Sequence, residues 1–97
     1  MAKKLIFSET FKKCYKKLPE KIQEKTDKQL RFLIDNPTHP SLNLHIIQGT
    51  GGIWEGYIDR FYRFTCEIGK AAYYLRVVGP HKIIDLEAKR KPLKFKE

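Results

Sequence analysis

Tyr62-Arg63-Phe64-Thr65-Cys66-Glu67-Ile68 is the stretch that decides the fold. Tyr62, Phe64, Cys66 and Ile68 fall on one side and Arg63, Thr65 and Glu67 on the other, the period-two pattern of a strand with one buried face. Gly69-Lys70 then turns the chain, and Tyr73 to Val78 makes a further strand. Upstream, Ile53 to Asp59 reads as a strand that enters this one through a tight connection at Arg60-Phe61. Before it, Leu42, Leu44 and Ile46 alternate with Asn43, His45 and Ile47. Gly49-Thr50-Gly51-Gly52 separates the two, because several positive-φ positions in a row are cheap only for glycine. Turns this short between consecutive strands imply an antiparallel meander, which can leave one face uncovered.

The residues ahead of the meander follow a helical period. After a short opening strand, Leu5-Ile6-Phe7, Ser8 suits an N-cap and Phe11, Cys14, Tyr15 and Leu18 lie at i, i+3, i+4 and i+7. Lys12, Lys13, Lys16 and Lys17 lie off that stripe. Pro19 stops this helix and is placed to start the next, along which Ile22, Thr26, Leu30 and Leu33 share a side before Asn36-Pro37. The expectation is an α+β domain of order β-α-α-β-β-β-β, with the helical hairpin packed on an antiparallel sheet. One domain over residues 1–88 and a basic, extended tail over 89–97 account for the 97 residues, too few for a second core.

The formal net charge is +9, from 20 Lys and Arg against 11 Asp and Glu. It is uneven: +6 over residues 1–31, zero over 32–80 and +3 over 81–97. Such a field suits a polyanion such as RNA, or an acidic protein partner. No apolar run approaches the roughly 18 residues of a membrane span and no signal peptide opens the chain, so a cytoplasmic protein without membrane contact is expected. Cys14 and Cys66 read as two reduced thiols used as small hydrophobes, and His39, His45 and His81 do not complete a zinc site. Neither metal nor cofactor is expected.

No phosphate loop, dinucleotide fingerprint or hydrolase elbow is present. Two residues stand out instead. Arg63 is mid-strand and faces away from Tyr62, Phe64 and Cys66. His81 follows the last strand in Val78-Gly79-Pro80-His81, where Gly and Pro shape a turn at the sheet edge. With Arg76 and His45 they form a cationic, titratable set suited to phosphate chemistry, arginine holding charge and histidine moving protons. Trp54, Phe11 and Phe32 read as packing residues.

His39-Pro40-Ser41-Leu42, Gly49-Thr50-Gly51-Gly52-Ile53-Trp54-Glu55, Tyr62-Arg63-Phe64 and Leu75-Arg76-Val77-Val78-Gly79-Pro80-His81 occur in that order. In this the chain resembles the RelE/ParE superfamily of toxins from type II toxin–antitoxin systems, the RelE and YafQ-like branch more than the gyrase-directed ParE branch. The resemblance implies a compact microbial ribonuclease-like fold. It also implies metal-independent cleavage of mRNA on the ribosome, inhibition of translation, and silencing by a cognate antitoxin. By that resemblance Arg63 stabilises the phosphate, His81 is the general acid and His45 a general base. Arg76, Lys82, Lys13 and Lys17 would add phosphate or RNA contacts, and the antitoxin would lay an acidic amphipathic helix on the hairpin or the sheet. The chain departs from RelE in having no Lys or Arg between Leu42 and Gln48, and from several relatives in having no Tyr after Tyr74. Those departures motivate an alternative, a non-cleaving relative that binds gyrase or only pairs with its antitoxin.

Overall fold

In a computed structural model describing residues 3–93, the elements are β1 (Lys4–Phe7), α1 (Glu9–Lys16), α2 (Glu20–Asp35), β2 (His45–Ile46), β3 (Trp54–Tyr57), β4 (Tyr62–Ile68), β5 (Ala72–Pro80) and α3 (Ile83–Glu87). Two helices pack on a five-stranded sheet of order β1-β5-β4-β3-β2, an α+β fold. The expected meander runs from β2 to β5. The opening strand, separated from it by the helical hairpin, returns to the far edge and pairs with β5 in parallel, so the sheet is mixed. No helix among the described residues is long and apolar enough to cross a membrane.

Local chemistry explains the boundaries. Ser8 caps α1, its hydroxyl accepting from the Phe11 N–H at 2.9 Å and donating to the Arg76 carbonyl at 2.7 Å, so the cap also ties α1 to β5. Pro19 stands immediately before α2. The alternating run from Leu42 forms far less strand than its pattern suggests. Pro40–Leu42 is a single 3₁₀ turn, Asn43 is left-handed (φ 42°), and only His45 and Ile46 pair with β3. Leu42 is therefore buried by a turn rather than by a strand face. Gly49 and Gly51 take the expected positive φ, and the Thr50 hydroxyl closes their loop by donating to Ile47 O and accepting from Ile53 N.

Phe11, Leu18, Leu30 and Leu33 from the helices meet Phe64, Cys66, Tyr73, Leu75 and Val78 from the sheet, with Cys14 and Trp54 packed against them. Both thiols are free, and burial, with the nearby Glu67 charge, pushes the Cys66 thiol up to about 12. Gly56, paired with Phe64, has no room for a side chain: a Cβ there would lie 2.2 Å from the Phe64 ring. Leu75 and Val78 are three residues apart yet both face the helices. A β-bulge makes this possible, since Thr65 pairs with Val77 and Cys66 with Leu75, leaving Arg76 as the extra residue.

The face away from the hairpin is only partly open. α3, which the strand and helix periods did not announce, lies along β4 and β5. Its Glu87 is buried against Thr65 and Arg76, and the Leu93 N–H bonds to Glu67 at 2.9 Å. The beginning of the expected tail is thus fastened to the sheet, and residues 94–97 lie outside the described residues.

Candidate functional site

Hairpin register assembles the site. His45 stands opposite Glu55 and Tyr57 opposite Arg63, and the alternation of β3 and β4 directs Glu55, Tyr57 and Arg63 away from the helices. The Glu55 carboxylate joins the two basic groups. Its Oε2 accepts from Arg63 Nε at 3.2 Å and its Oε1 lies 3.1 Å from His45 Nε2. His45 Nδ1 is 2.6 Å from the Asn43 carbonyl, which only accepts, so that nitrogen carries a proton. Glu55 and Arg63 are largely withdrawn from solvent, at 12% and 11% exposure, while His45 is 45% exposed.

Arg63 is held from several directions. Its Nη1 donates to the carbonyls of Asp59 (2.7 Å), Tyr62 (3.1 Å) and Arg60 (3.2 Å), and its guanidinium carbon sits 3.6 Å from the Tyr57 ring centroid. The arginine thus pins the β3–β4 turn, beside the turn that carries His81. Cross-strand pairing of Arg63 with Gly79 and Tyr62 with Pro80 brings the post-strand turn there. The His81 N–H donates to the Phe61 carbonyl at 2.8 Å, and its carbonyl opens the turn leading into α3. His81 and Lys82 are both exposed.

The structure therefore joins His45 and Arg63 through Glu55, and sets His81 and Lys82 after β5 beside the β3–β4 turn, two positions beyond the Gly79 that pairs with Arg63; the other expected residues lie elsewhere. Arg76 lies farther along the face, buried, donating through Nη1 to Glu67 at 2.6 Å and through Nε and Nη2 to Glu87 at 2.9 and 3.2 Å. Burial by itself disfavours the ionised Glu87 carboxyl, but the Arg76 guanidinium and the Thr65 hydroxyl outweigh it and hold the group below its ordinary value. Lys13 lies on α1 and Lys17 caps its C-terminus, on the hairpin side of the sheet. Lys13 lines a groove of about 420 Å³ together with Phe7, Phe11, Tyr15 and Leu30, with Lys12 and Lys16, and with the acidic Glu9 and Asp27. Among the described residues no group of His, Cys, Asp and Glu could hold a metal ion.

Sequence reasoning passed over Glu55 and Tyr57. The expected two-residue connection at Arg60-Phe61 would have set Ile58 opposite Arg63; the observed turn is longer, with the Ile58 N–H bonded to the Tyr62 carbonyl, and this one-residue difference is what brings Tyr57 opposite Arg63 and Glu55 onto the same side. What the assembled group can do follows from its chemistry. A carboxylate against an imidazole can accept a proton, a guanidinium can balance a phosphoryl charge, and a second, exposed imidazole can supply a proton.

No family model matches the chain, and no curated protein matches it in sequence. Solved structures do match in shape. The DinJ–YafQ toxin–antitoxin complex of E. coli contains a chain that superposes with a TM-score of 0.71 at 15% identity, over 86% of this chain and 97% of that one. The RelB–RelE antitoxin–toxin complex of Methanococcus jannaschii gives 0.68 at 19% identity, over 84% and 96%. The YoeB/ParE toxin of Agrobacterium tumefaciens gives 0.69 at 17%, over 80% and 98%. At these identities the likeness speaks for architecture, and on that ground the chain has the fold of the RelE-like toxins.

Proposed function

We propose that this chain is the toxin of a type II toxin–antitoxin pair and acts in the cytoplasm as a metal-independent endoribonuclease on mRNA at the ribosome. The observation that carries the reading is the Glu55 carboxylate, held between His45 and Arg63, with Arg63 paired to Gly79 two residues before His81. In this reading the Glu55–His45 pair takes the proton of a ribose 2′-hydroxyl, and the oxygen attacks the adjacent phosphorus. His81 gives a proton to the departing 5′-oxygen, and Arg63 offsets the charge of the five-coordinate phosphorane. The products are a 2′,3′-cyclic phosphate and a free 5′-hydroxyl. The required 2′-hydroxyl confines the reaction to RNA.

Silencing would fall to an antitoxin with an acidic amphipathic segment. The apolar groove of Phe7, Phe11, Tyr15 and Leu30, lined also by Lys12, Lys13 and Lys16 and by Glu9 and Asp27, would seat the apolar face of such a helix, with a one-lysine excess of positive charge toward its acidic side. In the solved complexes of similar fold the partner is an antitoxin, DinJ or RelB.

The test is induced expression with mapping of mRNA 5′ ends. Wild type should arrest translation and leave cut mRNA, and Arg63→Ala should do neither. Because Arg63 also pins a turn, the variant is checked for a native circular dichroism spectrum. Arrest by a folded Arg63→Ala as strong as wild type refutes the mechanism. A second reading, a non-cleaving protein that binds gyrase or only its antitoxin, is favoured by the engagement of Arg63 with Glu55 and three carbonyls, from which a phosphate must draw it. Inhibited supercoiling with intact mRNA would select the gyrase form. No effect on either process would select the antitoxin-binding form.

A further inference from the structure

Phe61, at 60% exposure, is the most exposed aromatic side chain among the described residues, and none of the chemistry above uses it. A ring left in water on a pliable turn would fold back onto apolar surface. Here the backbone beneath the ring is fixed on both sides. The Asp59 carboxylate accepts from the Phe61 N–H at 2.8 Å and from the Tyr62 N–H at 3.0 Å. The Phe61 carbonyl accepts from the His81 N–H at 2.8 Å, and Arg63 holds the carbonyls of Asp59 and Arg60. Lys25 secures Asp59 from α2 at 3.2 Å.

The surroundings of the ring decide what it fits. The Arg60 guanidinium carbon stands 5.8 Å from its centroid, and Lys25, Arg63 and Lys82 lie on the adjoining segments. An apolar peptide would need further apolar surface, yet the flanking residues are Asp59, Arg60, His81 and Lys82. One exposed ring among cations is what an unpaired nucleic-acid base requires, its flat face stacking while its phosphates meet the positive charges.

We propose that Phe61 is the platform on which one unpaired RNA base stacks, beside the phosphate taken by Arg63 and His81. The inference rests on the RNA-directed reading above and deepens it. Every base has a π-face, so the platform confers affinity and a preference for the larger purines rather than recognition of one base.

Twelve-residue oligonucleotides with all 2′-hydroxyls methylated, and hence uncleavable, provide the probe: oligo-A, oligo-U and a fully abasic backbone, in fluorescence anisotropy at low salt. Wild type should bind oligo-A more tightly than oligo-U, and both more tightly than the abasic chain. Phe61→Ala should weaken oligo-A binding by roughly 5- to 150-fold, the range found for one stacked base, and leave abasic binding unchanged. Phe61→Trp should restore binding. Equal loss on oligo-A and the abasic chain, a change within twofold on oligo-A, or no wild-type preference for bases overturns the proposal. The two readings fail separately. A wild type that binds bases through Phe61 but cuts nothing removes the catalytic reading and keeps the platform. A Phe61→Ala variant that binds and cuts like wild type removes the platform and keeps catalysis.

Discussion

Glu87→Gln tests whether α3 is held on the sheet by charge. The native carboxylate accepts from Thr65 Oγ1 at 2.6 Å and from Arg76 Nε and Nη2 at 2.9 and 3.2 Å. Removing one partner of a buried ion pair costs about 3–5 kcal/mol, because the other charge is left uncompensated. Here Arg76 keeps Glu67 at 2.6 Å. Glutamine also keeps one acceptor oxygen, so the expected loss is lower, about 2–3 kcal/mol. In a domain of this size that corresponds to a fall in Tm of roughly 10–20 °C. The pH dependence has a definite sign. Glu87 ionises below its ordinary value of 4.5 in the folded protein. Its stabilisation is therefore complete above the unfolded-state pKa and is lost as pH falls through the folded one. The gap between wild type and Glu87→Gln should be widest at neutral pH and should narrow below about pH 4. Urea denaturation followed by circular dichroism at pH 7 and in an acidic series measures both effects. A loss smaller than about 0.5 kcal/mol at pH 7, the scale of an ordinary surface change, refutes the reasoning, as does a gap that ignores pH.

Gly56→Ala should destabilise by about 1–3 kcal/mol, since the new Cβ meets a fully buried Phe64 ring that has nowhere to go. An unchanged urea midpoint would show that the ring yields. In native protein at pH 8 a disulfide reagent should label Cys14 alone, because Cys66 is buried with its thiol held at about 12, and should label both after unfolding. Two fast equivalents in the native state would contradict the packing. Glu55→Gln should lower RNA cleavage at least about 100-fold, the lesser end of what a positioned base contributes. Cleavage within threefold of wild type would exclude Glu55 and its histidine as the proton acceptor.

How legible the protein was in its sequence varied with the range of the interactions involved. Helix faces and the β3–β4–β5 meander are written in local periodicity, and Phe11, Leu30, Phe64 and Leu75 are buried where that periodicity puts them. Leu42 to Gln48 misled, because Leu42 and Leu44 satisfy a strand pattern while Pro40 and a left-handed Asn43 bend the same residues into a turn. α3 was missed because five residues are too few to show a helical period, and because Glu87 is fixed by partners 22 and 11 positions away. The site divided in the same manner. The positions of Arg63, within β4, and of His81, just past β5, were legible from the meander. Glu55 was overlooked because a carboxylate between two basic groups is defined by register between strands, and Arg76 looked available because Glu67 and Glu87 meet it only in the folded chain.

The bulge at Arg76 bears on how this protein can be compared with others. It makes β5 a strand of two phases, with Tyr73 and Leu75 counted in one and Val78 in the next. A relative with an unbulged strand reaches the same point beyond the sheet with one residue fewer. Laid against such a sequence without a gap between Leu75 and Val78, this chain would show either its strand or its post-strand histidine displaced by one position. Against such a relative, correspondence at His81 would be a matter of location in space, and a residue-by-residue count through β5 would name the wrong neighbour.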